Sequence, residues 1–370
     1  MQKAKLIAYY LPQFHSIPEN DNWWGAGFTE WTNVKNAKPL FKNHKQPRKP
    51  GVLGYYNLLD IETQRKQIEL AKQYDIYGFS YYHYWFGNGK MLLEKPVELM
   101  LSSKDLDFPF CLSWANESWE GIWHGSPGKL LIEQTYPGKK DYIQHFEYLL
   151  KFFNDSRYIR FDNKPVFTIH RPDLIPDIKF FVEIFRELAN NAGFDGIYLI
   201  GGYNYSMSWK LEDNLFDALI SNGFNHAPNV LYRKKHRYLS KQLMKVEYKF
   251  NLNKPLIYDF EEIDKIISRI DDRNIIKFCG SVDEYFPLLI SNWDNTPRLG
   301  RKGYLFDNFN PETFKVQINR CLDAILNNKN KVVFVKSWNE WAEGNYLEPD
   351  VDSGLTLLET IKEQLNDPII

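Results

Sequence analysis

The chain has 370 residues, 44% of them hydrophobic and 25% charged, the balance of a soluble globular protein. A formal net charge of −1 supplies no overall basic face, which argues against a nucleic-acid partner. No stretch approaches 18 consecutive apolar residues, so no membrane span is expected.

The N-terminal MQKAKLIAYYLPQFH carries too short an apolar run before Pro12 for a signal peptide, and KLIAYYL (5–11) reads as a first strand. Seven further runs follow: YGFSYYHYW (77–85), FPFCLSW (108–114), KPVFTIH (164–170), GIYLIGG (196–202), FDALISNG (216–223), YFPLLISNW (285–293) and KVVFVKSW (331–338). Each is apolar without alternation, as a strand buried on both faces of a parallel sheet must be. Between most of them lie helical patterns. DIETQRKQIELAKQYD spaces Ile61, Ile68, Leu70 and Ala71 for one buried side, IKFFVEIFRELANNAG ends at a Gly193 cap, and NPETFKVQINRCLDAILNN opens with Asn, Pro and Glu. YIQHFEYLLKFFND and LTLLETIKEQL complete the set. The ninth run, PLIYDF (255–260), reads as part of the long connection before the seventh strand.

Eight strands alternating with helices predict an α/β fold, a (β/α)8 TIM barrel with long βα loops, forming one catalytic domain over 1–370. A doubly wound open sheet is the alternative, but no G-x-G-x-x-G follows the first strand. The segments after the strands support the barrel. PQFHSIPENDNWWGAGFTEW, FGNGK, ANESWEGIWHG, DNTPRLGRKG and NEWAEGNYLEPD gather Trp, Asn, Asp, Glu, His and Gly, whereas helix-to-strand joins such as QYDI and NAGFD are short and plain. Barrel enzymes keep their chemistry at that same end of the strands.

Aromatic residues make up 16% of the chain, and many Trp and Tyr sit beside Asn, Asp, Glu and Gly. Rings mixed with hydrogen-bonding groups suit a carbohydrate, which has apolar faces and polar edges. Cys111, Cys279 and Cys321 are widely spaced, none in a CxxC, and read as reduced thiols of a cytoplasmic protein. The basic stretch YRKKHRYLSKQLMKVEYK (232–249) reads as a solvated face; peripheral association with an anionic lipid or polysaccharide is its alternative.

The last strand leads into KSWNEWAEG, with Glu340 and Glu343 three apart. In a strand these would face opposite ways, so they share a pocket only if the strand has ended and the chain turns at Gly344. A helix-like turn brings such Cβ atoms roughly 5–6 Å apart. Alternation back from Glu340 also puts Lys336 inside the barrel, and a bulge or bend is expected near Ser337. Two carboxyls in a partly dry aromatic pocket cannot easily both ionise, and glycoside cleavage needs such an acid and base or nucleophile, roughly 5–5.5 Å apart in retaining enzymes.

Four stretches, YYLPQFHSIPENDNWWGAGFTEWTNV, PLFKNHKQPRKP, WDNTPR and SWNEWAEGNYLEPD, resemble the WbsX family, labelled glycosyltransferases or lipopolysaccharide biosynthesis proteins and related to the endo-α-mannosidases of glycoside hydrolase family 99. The resemblance runs from Ala8 to about Asp350. It implies a (β/α)8 barrel and a retaining hydrolase whose chemistry uses no metal or other cofactor. In those mannosidases the last motif reads Asn-Glu-Trp-His-Glu-Gly. The first glutamate acts on the substrate's own 2-hydroxyl to give a 1,2-anhydro sugar, and the second is general acid, then base. By position these are Glu340 and Glu343, and the motif's His is Ala342 here.

Other residues are candidates for binding the sugar. Glu117, in an Asn-Glu at a strand end, is the rival acid/base and would then pair with Glu340. Trp24 lies in a Trp-rich loop with Trp23, Trp31 and Glu30. Trp114, Trp119, Trp293, Trp338 and Trp341 fall at or past strand ends, as do Tyr82, Asn116 and Asn339. His15, His83, His124 and His170 lack metal-ligand spacing and read as sugar contacts or structural histidines. Asp294 and Arg298 read as an internal ion pair that shapes its loop, or as substrate contacts. The resulting expectation is a retaining glycoside hydrolase or transglycosylase acting on an α-linked oligo- or polysaccharide. The alternatives are a glycosyltransferase of surface-polysaccharide assembly and a carbohydrate-binding barrel without catalysis.

Overall fold

The computed structural model describes residues 4–121, 129–203, 215–221, 223–235, 254–278 and 280–366. His124, Cys279 and positions 236–249 of the basic stretch lie outside the described residues. Eight parallel strands form the core: β1 (Lys5–Tyr10), β2 (Ile76–Trp85), β3 (Phe110–Trp114), β4 (Lys164–Ile169), β5 (Tyr198–Tyr203), β6 (Ala218–Ser221), β7 in two pieces (Glu284–Phe286 and Leu288–Ile290) and β8 (Val332–Lys336). They coincide with the eight apolar runs, and β3 is buried along its whole length, which explains the missing alternation.

The sheet runs in sequence order, and β8 pairs with β1. Closure passes through the broken β7. Its first piece pairs with β6, its second with β8, and the amide of Phe334 donates to the carbonyl of Pro287 between them at 3.2 Å. Proline has no N–H to give a ladder, which fits the break at Pro287. The ninth run, Leu256–Asp259, pairs with Tyr304–Asp307 in a separate two-stranded sheet, as a piece of the long connection would.

Two segments outside the strands matter for the site. The loop after β1 holds the short helices α1 (Pro18–Trp24) and α2 (Glu30–Asn36). Helix α2 is capped by Thr29, whose amide donates to the Thr32 hydroxyl at 3.2 Å. The loop after β8 is tied back to β1. Asn339 accepts from the Leu11 amide at 2.7 Å and donates to the Leu11 carbonyl at 3.1 Å, and the Trp338 amide donates to Tyr9 at 2.8 Å. Beneath it, Glu348 accepts from Trp341 (2.6 Å), Gln67 (2.6 Å) and Tyr56 (2.8 Å). Cys111 and Cys321 are buried free thiols. Among the described residues no helix is long and apolar enough to cross a membrane.

Burial pushes the Glu348 carboxyl up to about 7, although its three donors favour the ionised form. A carboxyl raised on folding adds stability below its ordinary range, and that stability is lost as pH rises through about 7. Glu348→Gln replaces an acceptor by an amide facing donors. It should lower unfolding free energy by about 1–3 kcal/mol and flatten the loss of stability between pH 5 and 8, both read by urea denaturation across that range.

Candidate active site

Strand parity decides which side chains reach the barrel mouth. Tyr82 and Tyr84 of β2 point to one side with Tyr9 of β1, and together with Glu117, His170, Trp293 and Lys336 they line a cavity of about 490 Å³ at the C-terminal ends of the strands. Tyr9 and Tyr82 stack with ring centres 5.2 Å apart. Trp24 and Glu30 reach the same cavity from the loop after β1, and Arg298 from the loop after β7.

Glu340 and Glu343 both line this cavity, side by side, because the chain turns at once after β8. The peptide between Lys336 and Ser337 is cis. The Ser337 hydroxyl accepts from the Glu340 amide at 3.0 Å and donates to the Asn345 carbonyl at 2.8 Å. Asn339–Glu340 pairs antiparallel with Asn345–Tyr346, and one 3-10 turn, Trp341–Glu343, lies between them. The turn ends on Gly344 at φ 60°, where a Cβ would lie 2.8 Å from Asp294 Cβ. That close approach lets the Asp294 amide donate to the Glu343 carbonyl at 2.6 Å.

The charges are arranged in a chain. Arg298 donates through Nη1 to Glu343 Oε1 at 2.6 Å and through Nη2 to Glu30 Oε1 at 2.7 Å. Glu30, 1% exposed, also accepts from the Ala342 amide at 3.1 Å. Lys336 Nζ lies 2.5 Å from Glu340 Oε2 and 3.7 Å from Glu343 Oε2. Three carboxyls thus share two cations. Burial pushes the Glu343 carboxyl up; Arg298 opposes this, Glu340 adds to it and Lys336 opposes it.

Six of the sequence-derived sugar contacts line the cavity: Trp24, Tyr82, Glu117, Trp119, His170 and Trp293. Glu117 is not free beside the pair; it accepts from Arg171 at 2.7 Å, with His170 Nδ1 at 3.6 Å, and burial lowers the His170 pKa. Seven candidates do not reach the cavity. His83 follows Tyr82 on β2 and so points the other way, its ring nitrogen 2.9 Å from that of His145, where burial holds its pKa down at about 3. Trp114 turns outward and donates to the Trp85 carbonyl at 2.9 Å. Asn116 joins the loops after β3 and β4 by donating to the Arg171 carbonyl and accepting from its amide, each at 2.7 Å. Trp338 is wholly buried against Phe79, Trp341 stacks on Tyr346 at 3.8 Å, and Asn339 is spent on Leu11.

Asp294 is a further correction. It does not pair with Arg298. It accepts from Gln46 Nε2 at 2.8 Å and the Thr296 hydroxyl at 2.6 Å, with His44 Nε2 at 3.0 Å. Burial opposes its ionisation, yet His44, the Arg48 charge, Thr296 and Gln46 together hold it down at about 2. Sequence reading missed Tyr9 and Tyr84 as cavity residues, and it missed the pairing of Glu30 with Arg298. Parity on β1 and β2 carried a signal for the two tyrosines; no local pattern carried one for the Glu30–Arg298 pair.

The family model described as Glycosyltransferase WbsX matches residues 6–361. Two curated proteins from strains of Xanthomonas campestris pv. campestris, each named Uncharacterized protein WxcX, are 32% identical over 370 residues, covering 98% of this chain and 50% of theirs. The chain therefore spans about half the length of the curated relatives it matches. Among solved structures, a glycoside hydrolase-like protein superposes with a TM-score of 0.63 at 15% identity, over 100% of this chain and 95% of that one. A GH99 endo-α-mannosidase from Bacteroides thetaiotaomicron, in complex with Bis-Tris-propane, does so at 0.57 and 16%, over 96% and 95%. At such identities the likeness is one of fold.

Removing one partner of a buried ion pair strands the other charge. Arg298→Gln should cost about 3–5 kcal/mol of stability, and Glu30→Gln in the same chain should recover part of it. A double-mutant cycle by chemical denaturation checks this, and simple additivity of the two changes would contradict the pairing.

Proposed function

The chain belongs to the family described as Glycosyltransferase WbsX, and on that premise we propose that it is a carbohydrate-active enzyme, a retaining glycoside hydrolase or transglycosylase acting on an α-linked oligo- or polysaccharide. The observation that carries this reading is the carboxyl pair at the barrel mouth, Glu340 and Glu343 beside one ammonium. Its two near oxygens lie 2.5 and 3.7 Å from a single ammonium. Their separation cannot exceed those two distances combined, which is short of the roughly 6.5–9.5 Å an inverting pair uses to admit water.

In the proposed reaction Glu343 gives its proton to the glycosidic oxygen as the bond from that oxygen to the anomeric carbon breaks. Glu340 takes the proton of the sugar's 2-hydroxyl, whose oxygen closes on the anomeric carbon to give a 1,2-anhydro sugar. Water, or an acceptor hydroxyl, then loses its proton to Glu343 and opens the ring, and Glu340 returns its proton to the 2-oxygen. Two inversions leave the configuration retained. The ionised Arg298, already bonded to Glu343, stabilises that carboxylate between the steps. The α linkage and a mannose-type substrate rest on the printed name of the GH99 neighbour and on the family resemblance. The buried thiols of Cys111 and Cys321 fit a reducing compartment, and we place the protein in the cytoplasm.

A second reading, transfer from a nucleotide sugar during surface-polysaccharide assembly, is favoured by the family's printed description. A panel of defined α-linked oligosaccharides, with product configuration followed by NMR, tests the first reading. Release of nucleotide from nucleotide sugars in the presence of acceptor tests the second. Under the first, Glu343→Gln and Glu340→Gln each lose about 10²–10⁴-fold in turnover. Glu343→Gln alone keeps most of its first-step rate on aryl glycosides whose leaving group needs no proton. Near-normal turnover of natural glycosides by both variants would overturn the assignment.

A further inference from the structure

We propose that Lys336 is a positioning residue that divides the roles of the carboxyl pair, its ammonium holding Glu340 in place as the carboxylate and leaving the proton on Glu343; this rests on the glycosidase reading above. A lysine at the end of a buried barrel strand needs a partner, because an unpaired ammonium out of water is costly. Here Nζ lies 2.5 Å from Glu340, 3.4 Å from the Tyr82 hydroxyl and 3.7 Å from Glu343. The rings of Tyr82, Phe224 and Trp293 stand 5.6–5.8 Å from it and fix its direction.

The asymmetry is what sorts the two glutamates. The ammonium is closer to Glu340, so it favours a negative charge there more strongly. Arg298 does not serve Glu340 in this way: its Nη1 and Nη2 bonds go to Glu343 and Glu30, and its charge opposes the rise in Glu343 that burial causes. The other titratable groups around the pair include Glu30, Tyr9, Tyr82, Tyr84, Tyr304 and His170. Glu30 is an anion paired with Arg298, and burial keeps the tyrosines protonated and lowers the affinity of His170 for a proton, so none of them supplies the charge that Lys336 supplies.

The test compares Lys336→Met and Lys336→Arg. The basic limb of the kcat/KM profile reports loss of the Glu343 proton. Lys336 lowers the proton affinity of Glu343, so its removal should move that limb to higher pH by about one unit in Lys336→Met, and Lys336→Arg should bring it back. A structural lysine would change thermal stability and KM but leave the limb in place. The second measurement needs no substrate: ¹³C NMR titration of the glutamate carboxyl carbons, assigned with Glu340→Gln and Glu343→Gln. The wild type should show the proton on Glu343, and Lys336→Met should show it shared by both. Lys336→Gln takes the place of the Met variant should that chain not fold. An unchanged titration together with an unmoved limb overturns the proposal. If the wild type cleaves no glycoside, the function is wrong, and the carboxyl titration still decides the role of Lys336.

Discussion

An arginine forked between two buried carboxyls holds the barrel mouth together. Arg298 comes from the loop after β7, Glu30 from the loop after β1 and Glu343 from the loop after β8. Buried charges are stable only when paired, so none of these loops can take its position without the other two. The rest of the site follows. With α2 anchored through Glu30, the Ala342 amide finds an acceptor and the short turn bearing Glu343 is fixed. With that turn fixed, Gly344 packs against Asp294, and the His44–Gln46–Thr296 set around Asp294 locks the β7 loop from behind.

Much of the architecture was legible because it has a local cause. A strand buried on both faces must be apolar throughout, and eight such runs can be counted without knowing their partners. The concentration of polar and aromatic residues after strands, against plain joins before them, marked the working end for the same reason: only that end carries loops freed from packing. The turn after β8 was also foreseeable. Glu340 and Glu343 cannot meet on a strand, so the chain has to turn after β8 before they can share a pocket.

What sequence reading got wrong depends on partners far along the chain. Tyr82 and His83 are neighbours, and only the sheet's orientation says which one faces the cavity. Trp114, Trp338 and Trp341 look like sugar platforms until the helices and the β1 loop are laid over them. Asn116 and Asn339 look like hydroxyl readers, but each is used to clasp two loops. Asp294 and Arg298 are four residues apart and of opposite charge, yet each has stronger partners supplied by distant segments. A local rule pairs what is near in sequence; the fold pairs what is least able to stay buried alone.

The break in β7 at Pro287 has a bearing on how the barrel is closed. One half of that strand is laddered to β6 and the other half to β8, so the cylinder has a seam and is not an unbroken hoop. Lys336, Glu340, Glu343 and the stretch that carries Arg298 all lie on the β8 side of it. Glu117 and His170 sit across the opening, on the far wall. The seam therefore divides the two walls, and the whole Lys336–Glu340–Glu343–Arg298 group is held on one side of it.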